Sequence, residues 1–245
     1  MMQQTLKCLS VLLTYPSQEL QDARGEMSTV IEAETRLSRA SKVALLDLIR
    51  HLGETDLIDL QAHYVSLFDQ GRDLSLHVFE HVHGQSRDRG QAMVDLLALY
   101  RSHGFELSAH ELPDYLPLLL EFSAHLTEDE ARQLLDDVMP VISVVGARLA
   151  HRNEGCQAIF TALAELAGAP GALAEKQDEV AQEGPDEALV NMDKIWEEEA
   201  VTFMSSPESC QQGSQGQAGV APVQWVPRKA SKQAAARNSY PDGGS

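Results

Sequence analysis

The stretch DLIDLQAHYVSLF, Asp56–Phe68, places Leu57, Leu60, Tyr64, Leu67 and Phe68 at i, i+3, i+7, i+10 and i+11. That spacing is one face of an amphipathic helix, and Asp56 stands where an N-cap carboxylate would accept the free amides of the first turn. The same period recurs on both sides. Ser41 precedes Leu45, Leu48, Ile49 and Leu52, with Gly53 as the expected stop, and Met93, Leu96, Leu97 and Tyr100 lead to Gly104. Leu116, Leu119 and Leu120 follow Pro113, a residue suited to a first helical turn. Thr127 with Glu130 reads as a capping box ahead of Leu134, Leu135, Val138 and Met139, after which Pro140 is expected to end or kink the helix. Ile159, Phe160, Leu163 and Leu166 precede Gly168 in the usual stop position. No run of strict alternation announces strands. The fold class expected is all-α, a single helical bundle over residues 1–168.

Past Gly168 the composition changes. Residues 169–204 are acidic and short of large apolar side chains, an extension expected to be marginally helical. Residues 205–245, rich in Ser, Gln, Gly, Ala and Pro, are expected to be a disordered tail, because so little apolar surface cannot offset the entropy of ordering. The whole chain of 245 residues carries a formal charge of -18. Residues 211–245 hold Arg228, Lys229, Lys232 and Arg237 against Asp242, a net +3 that leaves -21 on residues 1–210. Such a balance argues against nucleic acid, whose phosphates need clustered Lys and Arg, and favours a basic partner. Cys8, Cys156 and Cys210 are scattered and form no CxxC pair, which fits a reducing compartment. The chain has no run of about 18 apolar residues and no basic stretch ahead of a small-residue cleavage site. A cytoplasmic protein with no stable membrane insertion is expected.

Three polar clusters could carry chemistry. In HVFEHVH, His77 and His81 at i, i+4 would share a helical face and could ligate a metal, with Glu80 and His83 nearby. The order is not HExxH, and a hydrogen-bonded, partly buried histidine face is the expected state. In GQSRDRGQ, Arg87, Asp88 and Arg89 sit between Gly84 and Gly90. They could hold an anion, but the spacing matches no phosphate loop, so local ion pairing with Asp88 or Glu80 is favoured. In ELPDYLPLLLEF, Glu111, Asp114 and Glu121 could cap the helix near Pro113 or hold a basic peptide. No nucleophile, base and orienting-group constellation has recognisable context, and no catalytic role is expected.

These same residues carry a resemblance. YVSLFDQGR (64–72), FEHVHGQSRDRGQAMVDLL (79–97), ELPDYLPLLLEF (111–122) and, more weakly, WEEEAVTF (196–203) are similar to the NarJ-type nitrate reductase molybdenum cofactor assembly chaperones, over roughly residues 5–204. The resemblance implies an all-helical, non-catalytic, cytoplasmic chaperone with no cofactor of its own. It further implies partners in the apo catalytic subunit of nitrate reductase, including its N-terminal segment, and in the machinery that delivers the molybdenum cofactor before membrane docking. The wider family often carries histidine where this chain has Tyr115, so a role needing imidazole there does not transfer.

Joined to the residue reading, the resemblance makes Tyr64, Phe68, Asp69, His81, His83, Arg87, Asp88, Arg89, Glu111, Asp114, Tyr115 and Glu121 the candidate client-binding residues. Two other readings stay open. One is a proofreading chaperone for the twin-arginine signal of another molybdoenzyme, and the other is a metal-dependent helical enzyme using His77 and His81.

Overall fold

The computed structural model describes residues 1–83 (His83 by its backbone alone), 88–107 and 111–184. Expectations for residues 185–245, including the WEEEAVTF motif and the tail, lie outside the described residues, as do those for Gly84 to Arg87. All described residues belong to one compact unit, Met1–Glu199.

The chain runs α1 (Met2–Leu12), α2 (Gln18–Asp22), α3 (Arg24–Ala33), α4 (Arg39–Glu54) and α5 (Leu57–Tyr64). There follow α6 (Val78–His83), α7 (Asp88–Ser102), α8 (Leu116–Ser123), α9 (Glu128–His151), α10 (Gln157–Ala167), α11 (Ala172–Glu175) and α12 (Gln177–Val180). Among the described residues no strand forms, only an isolated antiparallel bridge between His77 and Tyr115. None of the described helices is long and apolar enough to cross a membrane.

The core is built around α9 and α10, which pack on each other and carry Leu135, Ile142, Leu149, Ile159, Phe160 and Leu163 fully buried. Helix α1 lies against α8, α3 and α10 with Leu6 and Leu9 wholly covered. Each such side chain contributes about 1.5–3 kcal/mol by leaving water. Helices α11 and α12 close over α9 through Leu173 and Val180. At the crossing a Cβ on Gly146 would sit 2.6 Å from Leu173 Cδ2 and 2.7 Å from Phe160 Cβ, so hydrogen at this position is what allows the close approach.

Local signals set several helix ends. Asp56 accepts the Ile58 amide at 2.9 Å, and the Thr127–Glu130 capping box forms in both directions. Three helices end alike, with Gly104, Asn153 and Gly168 at positive φ. The next residue's amide then reaches back five places, Phe105 to the Tyr100 carbonyl, Glu154 to Leu149 and Ala169 to Ala164. This is the Schellman arrangement, which satisfies otherwise free carbonyls.

Elsewhere tertiary context displaces the expected boundary. Helix α4 is capped by Ser38, whose hydroxyl accepts the Ser41 amide at 3.1 Å, and it continues through Gly53. Pro140 does not end α9; it is exposed within the helix, where water can serve the carbonyl its ring leaves unbonded. Pro113 lies in the turn before α8, its carbonyl accepting the Tyr100 hydroxyl at 2.7 Å, and Pro117 takes the first-turn place.

Candidate functional site

Residues Leu74 to His77 make an irregular turn-and-bend connection into α6, with Leu74, Leu76 and Val78 buried. His77 projects between them toward the turn before α8. The bridge forms there: the Val78 amide donates to the Asp114 carbonyl at 3.0 Å and the Leu116 amide to the Leu76 carbonyl at 2.8 Å. The Asp114 side chain, wholly buried, faces His77 Nδ1 at 3.2 Å with one oxygen and accepts the Phe79 amide at 3.1 Å with the other. Arg89 from α7 comes within 3.9 Å of that carboxylate and donates to Glu80 at 3.3 Å. Buried charge requires such partners. The hydrogen bond that His77 makes to Asp114 raises the His77 pKa, against the opposing effect of burial.

This placement revises the shared histidine face. Helix α6 begins at Val78, so His77 precedes it and turns to Asp114, while His81 meets the Ser75 carbonyl at 2.8 Å and has its pKa lowered by burial. Among the described residues no group of three or more His, Cys, Asp or Glu is placed to hold a metal. The Arg89–Glu80 pairing expected from the sequence does form, and Asp88 is exposed in the first turn of α7. Of the other candidates here, Arg87 and the His83 side chain lie outside the described residues.

A second junction joins the first motif to the third. After α5 the chain makes one π-turn, Val65–Asp69, which carries Phe68 inward and leaves Asp69 exposed. Such turns occur often at functional sites. The Tyr64 and Tyr115 hydroxyls lie 3.0 Å apart, and Tyr64 also donates to the Leu13 carbonyl at 3.1 Å. One hydroxyl has one proton, so Tyr115 is the donor within the pair. Burial raises both pKa values, helped by the negative charges of Asp69 and Glu111. Tyr15, half exposed, meets the Tyr64 ring edge-on at 5.5 Å, and Phe68 lies 5.0 Å from it.

Tyr64, Leu67 and Phe68 open onto an apolar cavity of about 120 Å³ shared with Leu12, Leu20, Leu48, Leu52 and Leu60. Thr14, His51, His63 and Glu154 are among its polar members, with His63 and Glu154 paired at 3.0 Å. Cys156 also lines it, its thiol pushed up to about 12 by burial and so unreactive. Glu121 lies apart from this cavity. It is exposed on α8, beside a hollow formed with Tyr100, Phe105, Leu118 and Phe122. Spacing alone points to neither that hollow nor the 74–77 connection. The alternation of Leu74, Leu76 and Val78 and the Gly104–Phe105 pair were the available signals.

The arrangement thus provides a polar node that ties three motifs together, an apolar cavity with an aromatic rim, and exposed carboxylates beside it. Known proteins resemble the chain in sequence. The family model described as nitrate reductase delta subunit matches residues 34–143. The nitrate reductase molybdenum cofactor assembly chaperone NarJ of Escherichia coli K12 is 42% identical over 200 residues, covering 82% of this chain and 85% of that protein. NarW of the same strain is 39% identical over 201 residues, covering 82% and 84%. NarJ of Bacillus subtilis is 31% identical over 155 residues, covering 63% and 82%. The chain belongs to the family of nitrate reductase molybdenum cofactor assembly chaperones.

Proposed function

We propose that this chaperone acts in the cytoplasm by binding the apo catalytic subunit of a respiratory nitrate reductase. Its contact would include that subunit's N-terminal segment, held while the molybdenum cofactor is inserted and before the enzyme docks at the membrane. The family consists of assembly chaperones and not catalysts, so the work is binding and release. The observation that carries the reading is the apolar cavity at Tyr64, Leu67 and Phe68, with Tyr15 exposed at its edge and the negative charges of Asp69 and Glu111 acting on the tyrosine pair.

An amphipathic client segment would lay apolar anchors into the cavity and its basic residues against the carboxylates, helix-in-groove fashion. Four anchors at about 1.5 kcal/mol each give roughly 6 kcal/mol, of which ordering the segment consumes about 2–5. Charge attraction supplies the remainder and leaves release easy. In this reading Asp114, His77 and Arg89 position the surface without touching the client, because the Asp114 carboxylate is fully buried and occupied.

Co-purification from cells lacking molybdenum cofactor tests the partner. The catalytic subunit is expected with the wild-type chaperone and in reduced amount with an Asp69→Asn, Glu111→Gln double variant, whose sites are exposed. Absence of the subunit from the wild-type preparation would sink the proposal. Recovery instead of an exported enzyme with a full twin-arginine signal would replace it with the proofreading reading.

A further inference from the structure

The Schellman turn that ends α7 has a result beyond capping. With Gly104 at φ 82°, the Phe105 amide returns to the Tyr100 carbonyl at 3.0 Å and the Phe105 side chain is laid beside the end of its own helix. Phe122 from α8 meets it there, the two rings 5.6 Å apart and nearly perpendicular at 89°, and Tyr100 lies 4.6 Å from Phe122 on the buried side. His125 closes one wall, its ring 5.2 Å from Phe105. Together with Leu107, Leu118, Glu106 and Glu121 these rings line a hollow of about 280 Å³.

Two properties distinguish this hollow from an ordinary apolar groove. Phe105 is partly exposed and Phe122 is only 5% exposed, so an aromatic edge leads to an aromatic floor. Glu106 and Glu121 are exposed lining residues, and neither forms an ion pair among the described residues. Of the nearby basic side chains, His103 packs on Phe122 and lies 3.9 Å from Glu130, and Arg101 lines an adjoining hollow with Glu106. Aromatic faces with carboxylates at the rim complement a planar cation, which stacks by its face and hydrogen-bonds by its edge. The overall charge of -18 adds attraction at longer range.

We propose that this hollow is a receptor for an arginine side chain carried by the bound client, separate from the apolar cavity at Tyr64. It rests on the client reading only for the source of the arginine. Guanidinium is favoured over ammonium because it is planar, weakly hydrated and presents several donors in a fixed fork.

The test titrates the full chain with N-acetyl-arginine amide and, in parallel, with N-acetyl-citrulline amide, its neutral counterpart, following the NMR signals of Phe105, Leu118 and Phe122. Saturable shifts are expected with the arginine amide and none with the citrulline amide. A Glu106→Gln, Glu121→Gln double variant, at exposed sites, should weaken the arginine response about tenfold, whereas Asp69→Asn, Glu111→Gln should leave it unchanged. An equal response to citrulline, or an undiminished one in Glu106→Gln, Glu121→Gln, would overturn the proposal. A client N-terminal peptide, with arginine and with citrulline in its place, forms the second arm. If the wild type binds neither peptide, the client reading fails, and the amino-acid amides alone still decide the pocket.

Discussion

His77 and His81 lie four residues apart and fold into opposite electrostatic settings. His77 is held by the Asp114 carboxylate, which raises its pKa above the usual 6.5. Its contribution to stability is complete below the unfolded value and fades as pH rises through the raised one. His81 is buried against the Ser75 carbonyl and has its pKa lowered. Its contribution is complete above the ordinary value and is lost as pH falls through the lowered one. In urea melts at about pH 5.5 and pH 8, His77→Gln should therefore cost more stability at the acid pH and His81→Gln more at the alkaline pH. Equal costs at both values for each variant would mean that neither ring titrates differently in the folded state. The sequence showed two histidines at a helical spacing. It did not show that the helix starts one residue later, because the cause is a bridge to Tyr115 and a carboxylate 37 positions away.

At the scale of single elements, α9 holds two residues that break helix rules with opposite consequences. Gly146 is unfavourable by propensity yet needed for packing against Leu173 and Phe160, whereas Pro140 is exposed. Gly146→Ala should destabilise the fold by about 1–3 kcal/mol through overpacking, and Pro140→Ala should stabilise it by about 1–3 kcal/mol by restoring a backbone hydrogen bond. Thermal and urea unfolding read both, and the same sign for the two would contradict this account. What could be read from sequence in these elements was local: the Asp56 cap, the Thr127–Glu130 box and the Gly104 and Gly168 stops each involve neighbours within a turn. What could not be read depends on distant partners. Ser38 caps α4 within a corner where Glu165, from α10, also accepts the Ser38 amide, and Pro113 is held by Tyr100. The candidate site divides in the same way, since exposed Asp69, Glu111 and Glu121 follow from pattern while the inward turn of Asp114 does not.

For the whole molecule, the acid excess predicts how client binding responds to salt. Affinity for a basic N-terminal client peptide should fall several-fold between about 50 mM and 500 mM sodium chloride, mostly through slower association, as screening shortens the reach of the carboxylates. Calorimetry together with stopped-flow mixing separates the two contributions. An affinity unchanged across that range would leave apolar contact as the sole source of binding.

Helix α1 is covered by parts of the chain made much later. Its Ser10 hydroxyl donates to the Pro117 carbonyl, 107 residues on, and its Gln3 amide to the Leu126 carbonyl, 123 residues on. At about 5–20 residues per second on the ribosome, the Leu6 and Leu9 face waits roughly 5–20 s for α8 to be synthesised. Until then this chaperone is itself a nascent polypeptide whose first helix has α3 to pack on but not yet the α8 and α10 surfaces that complete its cover.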